Sequence, residues 1–334
     1  RYKIGMADVP ASPETLAINA QLDGIAEAFN CEVVHVEMPT MDLEGLLSAH
    51  EALIKADVDG ILSMSVTPAM AQQCIDAEIP FALFSASATD PVLLDVVKGS
   101  PYFVGSFGMD GVQVGYDAAQ TAYDGGYRNI CYVAPGLGNE THDQWVQGIE
   151  DFATDHPDFK IVSSSRDAYT APSIDLFRKM YSAFPDIECV IETSNDQTII
   201  PGLYTDGLQS KVKYATLSLP GDVSQAYEDG CVILTGVGAS GYVNPSFAAL
   251  YNVMSGHNLI SDNTIPVIVG YITIANSEEY AKYLNTIQKE PFFSADELKQ
   301  FCPVFNPDAT YDAFVEACAK LSLQDIVERH NITE

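Results

Sequence analysis

A chain of 334 residues exceeds one average domain and suits two, each large enough for its own hydrophobic core. Apolar residues make up 47% and charged residues 19%, which excludes a disordered chain. The 46 acidic residues against 16 basic ones give a formal charge of -30, which repels phosphate backbones and anionic lipid and argues against nucleic acid as a partner.

In chain order, Tyr2 to Ala7 reads as a strand. Ser12 then caps a helix with Pro13 at its first position, and Ile18, Leu22, Ile25 and Phe29 repeat at helical spacing. The unit recurs: Glu32 to Val36 precedes a helix carrying Leu43, Leu46, Leu47 and Ile54, and Gly60 to Met64 precedes a helix opened by Thr67 and Pro68. Strands at Pro80 to Phe84 and Tyr102 to Gly105 follow. Such alternation implies a parallel sheet covered on both faces. After residue 107 the rhythm restarts with a helix at Asp110 to Asp124. Strands follow at Ile130 to Ala134, Lys160 to Ser163, Cys189 to Glu192, Tyr214 to Leu219 and Val232 to Val237, with helices between them. Ile265 to Val269 and Tyr271 to Ala275 form a last apolar pair before a helical tail with Asp296 to Phe301 and Tyr311 to Leu321. The class is therefore α/β with two similar halves, and no Gly/Ser linker separates them, which favours lobes joined by crossing strands.

Cys31, Cys74, Cys131, Cys189, Cys231, Cys302 and Cys318 are widely spaced, with no C-x-x-C pair and no adjoining His pattern, so neither a metal nor a disulfide framework is expected. No cofactor is expected either. Gly136-Leu137-Gly138-Asn139 lacks the rest of a phosphate loop, there is no H-E-x-x-H, and Ser85 and Ser240 lie in no nucleophile elbow. The reading is a chain that is not an enzyme. No run approaches the roughly 20 apolar residues of a membrane span. The start at Arg1-Tyr2-Lys3-Ile4, directly on a strand, is what a trimmed mature form would show, with an export signal or lipid-anchor Cys removed.

Several strings carry a family likeness. Ala56 to Ser63 followed by Pro68, His142 to Ile149, Phe184-Pro185-Asp186-Ile187 and Ser194-Asn195-Asp196, in this order of elements, resemble the type I periplasmic binding proteins that bind sugars for ABC importers. Asp143 to Asp196 is most similar to the autoinducer-2 and rhamnose-binding branch. The resemblance implies two Rossmann-like lobes joined by three crossing strands. One lobe would be residues 1–106 plus 240–270, and the other 107–239 plus 271–334 with an extra helical tail.

It also places ligand in a cleft at the carboxyl ends of both sheets, where open parallel sheets hold their sites. The loops there contribute Asp8, Ser12, Ser65, Ser85 and Ser87 from the first lobe. The second contributes Thr141, Trp145, Tyr169, Asn195, Asp196, Leu219 and Pro220. Ser12 and Thr67, each before a Pro, read more simply as helix caps. Asn195 and Asp196 divide evenly between capping and binding. Trp145 has a competing role in helix packing with Ile149 and Phe152. The family's Asp-Arg after the fourth strand is Ser85-Ala86-Ser87 here, and its Arg in the second lobe's helix is Trp145. Without Arg forks the expected ligand is neutral, with an apolar face for Tyr169 and Trp145. The implied function is an extracytoplasmic solute-binding protein, a monomer that closes by a hinge around a sugar-like solute and passes it to a membrane permease. The alternatives are a receptor feeding a sensor kinase and the effector domain of a repressor.

Overall fold

The computed structural model describes residues 1–8, 13–39, 43–194, 196–219, 221–237, 240–285 and 287–332. It divides into two compact units, Arg1–Met109 with Ala239–Gly270 and Thr286–Glu334, and Asp110–Gly238 with Tyr271–Asn285.

In the first unit β1 (Lys3–Asp8), β2 (Glu32–Glu37), β3 (Gly60–Ser63), β4 (Phe81–Phe84), β5 (Phe103–Gly108) and a short strand Val267–Ile268 form one sheet. All its pairings are parallel, and β1 lies between β2 and β3, with Ile4 opposite both Val33 and Gly60. Every residue of β3, β4 and β5 is buried, whereas β2, at the edge, is partly exposed. That difference follows from helices covering both faces of the inner strands. The helices are α1 (Pro13–Ala28), α2 (Leu43–Lys55), α3 (Pro68–Asp76) and α4 (Pro91–Val97). Thr67 and Asp90 cap the last two through their side chains, ahead of a Pro in each case.

The tail corrects the expected division. Residues 286–334 belong to the first unit rather than the second, so the chain passes between units once more, at 285/286. Buried polar groups explain why. The helix Val243–Met254 is buried from Val243 through Asn252, and its Asn244 and Asn252 need partners there. Asn244 Oδ1 accepts from the Phe293 N–H at 3.0 Å, and Asn252 Nδ2 donates to the Phe301 carbonyl at 2.8 Å. Phe314 packs edge-on to Phe107, and the Gly270 N–H donates to the Cys318 carbonyl at 2.9 Å. Hydrophobic periodicity shows that the tail is helical but not which surface it covers.

The second unit repeats the plan with α5 (Gly111–Asp124), β6 (Asn129–Pro135), α6 (Glu140–Asp155), β7 (Lys160–Ala168), α7 (Ser173–Ala183), β8 (Cys189–Glu192), α8 (Ile199–Thr205), β9 (Lys213–Thr216), α9 (Ser224–Glu228) and β10 (Val232–Gly236). Its strands are parallel except for Thr273–Ile274, which runs antiparallel beside β10. Helices α5 and α6 lie in close backbone contact across Gly115 and Gly148, where a side chain would meet the backbone of the facing helix, and Gly111 faces the Gln144 side chain.

Candidate ligand site at the carboxyl ends of the strands

In a parallel sheet every strand delivers its following loop to the same end. In the first unit these loops carry Ser65, exposed after β3, and Ser85 and Ser87, half-buried after β4. Ser12 lies outside the described residues, as do Asn195 and Pro220, and the side chain of Asp8 is likewise not described. The loops are tied to one another. Ser63 Oγ donates to the Ser65 carbonyl at 2.6 Å, and Ser85 Oγ donates to the Met64 carbonyl at 3.3 Å. Ser85 holds a left-handed φ of 76°, uncommon for a residue with a side chain. Ser106 Oγ accepts from the Ala88 N–H at 3.0 Å, while the buried Ser87 Oγ has no partner.

Beneath β3 sits a buried relay that sequence reasoning missed. His50 Nε2 lies 3.2 Å from Ser63 Oγ, and Cys74 Sγ lies 3.6 Å from its Nδ1. Because Ser63 donates onward to Ser65, its oxygen accepts from Nε2–H, which leaves Nδ1 to accept from the thiol. Burial lowers His50 to about 4 and keeps the ring neutral.

In the second unit Thr141 is half-buried in the first turn of α6 and Leu219 is half-buried after β9. Tyr169 is 63% exposed, with a left-handed φ of 73°. Trp145 is 5% exposed, with the fully buried Ile149 and Phe152 on the same helix, so it packs as a core residue. Its indole Nε1 has no partner, however. Between Trp145 and Tyr169 stands His142, with ring centroids 5.1 Å and 6.1 Å away and both contacts edge-on. His142 opens one of the family-like strings but carries no role of its own in the sequence reading. Burial lowers it to about 4.

Charges near these rings are answered. Asp143 pairs with Arg166 and also accepts from the Gly138 N–H at 2.8 Å. Asp196 accepts from the Ser173 N–H and from the Thr198 N–H and hydroxyl at 3.0 and 2.8 Å. Burial raises its pKa, but these bonds outweigh burial and leave it below the usual range. Capping therefore occupies its carboxylate. Glu192, at the end of β8, is fully buried and accepts from Tyr214 Oη and, at 2.7 Å, from Ser194 Oγ. A groove of about 410 Å³ opens elsewhere in this unit, lined by Val112, Gly138, Glu140, Asp143, Gln144 and Gln147, without Trp145 or Tyr169. Among the described residues no group of three or more His, Cys, Asp or Glu is placed to hold a metal, and no helix is long and apolar enough to cross a membrane.

No family model and no curated protein matches this sequence. Solved structures do. A periplasmic solute-binding protein of an ABC transporter from Actinobacillus succinogenes, with bound D-allose, superposes with a TM-score of 0.72 at 16% identity, covering 85% of this chain and 100% of that one. An ABC transporter solute-binding protein from Agrobacterium vitis bound to α-D-tagatopyranose gives 0.70 at 16% identity over 86% and 98%. A protein from Mycobacterium smegmatis in complex with β-D-fucofuranose gives 0.68 at 17% identity over 86% and 96%. The chain therefore has the α/β fold of the type I periplasmic binding proteins.

Proposed function

We propose that this protein is the extracytoplasmic solute-binding component of an ABC importer, taking up a small neutral, sugar-like molecule without altering it and presenting it to a membrane permease. The observation that carries this reading is the composition of the strand ends. They gather hydroxyls and rings, while the carboxylates of Asp143 and Asp196 are already engaged by protein donors. Hydroxyls and rings suit a polyol with one apolar face. The structural neighbours that hold D-allose, tagatopyranose and fucofuranose support the same ligand class. Retention outside the cytoplasm, by a lipid anchor or in a periplasm, and action as a monomer complete the proposal.

A ligand that binds only the native state stabilises it by about 2.7 kcal/mol at a hundred times its Kd. A thermal-shift panel of neutral monosaccharides, deoxy sugars, cyclic polyols and sugar acids should therefore give a concentration-dependent rise in Tm for a neutral member. A rise confined to the acids would overturn the neutral-ligand reading.

A further inference from the structure

The chain passes between the two units at 109/110, 238/239, 270/271 and 285/286, and the tail, residues 286–334, follows the last crossing. That tail reaches back to the first-unit side of each earlier crossing. Two residues before Met109, the buried Phe107 ring meets Phe314 edge-on, with centroids 6.2 Å apart. Two residues after Ala239, Gly241 lies directly against the Phe292 ring, which a Cβ at that position would overlap. Gly270, the last residue before the third crossing, donates its N–H to the Cys318 carbonyl at 2.9 Å, and a Cβ there would overlap the Leu321 carbonyl. At two of the three crossings, then, it is the missing side chain that lets the tail in.

These contacts come from separate parts of the tail that are tied to one another. The Arg329 guanidinium donates to the Phe292 carbonyl at 2.7 Å, to Glu297 Oε1 at 2.6 Å and to Asp325 Oδ2 at 2.8 Å, and lies over the Phe293 ring. A half-buried Arg with three acceptors fixes its neighbours far better than an exposed single pair does. Glu297 also closes a capping box with Ser294 at the start of the helix Ala295–Gln300. Phe301, at the end of that helix, packs against Phe314 with centroids 5.6 Å apart. Phe314 and Cys318 share the helix Tyr311–Lys320, which Leu321 follows. A continuous path of contacts therefore runs from Gly241 through the tail to Phe107 and Gly270.

We propose that the tail is a hinge brace, which joins the first-unit ends of the three earlier crossings into one body and so governs motion between the units. This rests on the solute-binding reading, which requires motion through these segments, and deepens it by naming what regulates that motion. Holding the ends leaves the dihedral changes of opening and closing to the few residues at the boundaries themselves. The first and third crossings have a second tie, since the Val269 N–H donates to the Gly108 carbonyl at 2.8 Å. The decisive link is therefore the one from Gly241, through Phe292 and Arg329, to the other two.

The test perturbs one end of the tail and reads the other by hydrogen exchange of the full chain. Gly270→Ala pushes on Leu321 and is read at the Phe293 N–H, which donates to Asn244 Oδ1. Arg329→Met releases the Phe292 carbonyl and is read at the Val269 and Gly270 N–H groups. Each distant amide should exchange about tenfold or more faster, beyond the change that the variant's loss of global stability explains. Leu53→Ala supplies that reference, because Leu53 lies in a core cluster that holds no tail residue. Relaxation dispersion at Asp110 and Tyr271, the first residues beyond two of the crossings, should show a larger exchange contribution in Arg329→Met at both. If Gly270→Ala fails to fold, Arg329→Lys takes its place and should fall between wild type and Arg329→Met. Faster exchange confined to the perturbed end, or unchanged dispersion at Asp110 and Tyr271, overturns the brace. Neither measurement needs a ligand. Linked crossings with no sugar bound in the thermal-shift panel refute the importer reading alone, and a bound sugar with independent crossings refutes the brace alone.

Discussion

Gly115→Ala is expected to lower the melting temperature of the second unit by about 10 °C or more. A Cβ at Gly115 would overlap the Trp145 carbonyl oxygen and lie 2.7 Å from its carbonyl carbon. Gly148 faces the same seam from the other side, where a Cβ would overlap the Val112 carbonyl oxygen and lie 2.6 Å from the Tyr116 nitrogen. Both obstacles are helix backbone, which cannot rotate aside as a side chain can. Overpacking ordinarily costs about 1–3 kcal/mol, and prising α5 from α6 belongs at or above the top of that range. At about 2–4 °C per kcal/mol for a unit of this size, the loss is readily seen by scanning calorimetry or circular dichroism. Gly24→Ala in α1 is the matched control, because nothing lies within 4 Å of its Cβ position. There the gain in helix propensity should raise stability by about 0.5–1 kcal/mol. Equal behaviour of the two variants would show that the α5–α6 contact is looser than described.

Glu192→Gln should stabilise the protein above neutral pH and remove a fall in stability that the wild type shows between about pH 4.5 and 7. Burial pushes Glu192 from its ordinary value of 4.5 to about 7, against the opposing pull of hydrogen bonds from Tyr214 and Ser194. Asp196, whose charge also raises it, is held ionised by its own donors. The raised value sets the sign. Below about pH 4.5 the carboxyl is protonated in both folded and unfolded chains and costs nothing. Between the two values the unfolded chain releases its proton first, so stability falls as pH rises, by about 3 kcal/mol in all. Above about pH 7 the loss is complete. Denaturant titrations of wild type and Glu192→Gln at pH 5 and pH 8 check this, and parallel pH dependence in the two proteins would place the titrating group elsewhere.

The same residue illustrates what was legible beforehand. Cys189 to Glu192 was readable as a strand to the residue, because a short apolar run bounded by polar loops has few other uses in an α/β chain. The strand before it in the chain, β7, was not. The expected strand ended at Ser163, but the chain stays extended to Ala168 through Ser164, Ser165 and Arg166. It is held by backbone pairing to β6, with Val133 opposite Ser165 and Pro135 opposite Ala168. Backbone bonds leave no mark on side-chain periodicity, so an edge strand of this kind looks like a loop. The strand Thr273–Ile274 was visible as apolar, but its antiparallel direction was not.

The site follows the same division. Alternation alone brings the loop after each strand to one end of its own sheet, whereas the choice of Tyr169, Ser85 and Trp145 comes from the family resemblance. What each side chain does there depends on its partners. Asp196, balanced between capping and binding by sequence, is occupied by Ser173 and Thr198. Arg166 escaped notice because it sits inside a strand, and its pairing with Asp143 restores one charged pair where the sequence had suggested none. His142 carried one usable sign, its place three residues before Trp145 on a helix. Only its orphaned Nδ1 distinguishes it from a packing residue.

The central claim, a neutral sugar-like solute bound and left unchanged, is most directly tested by isothermal titration of neutral monosaccharides, followed by recovery and mass analysis of the bound sugar. One neutral sugar should bind with one-to-one stoichiometry and be recovered intact. Tyr169→Ala and Trp145→Phe should weaken that binding more than Ser85→Ala does. Conversion of the sugar to a product, or unchanged affinity in the Tyr169 and Trp145 variants, would contradict it.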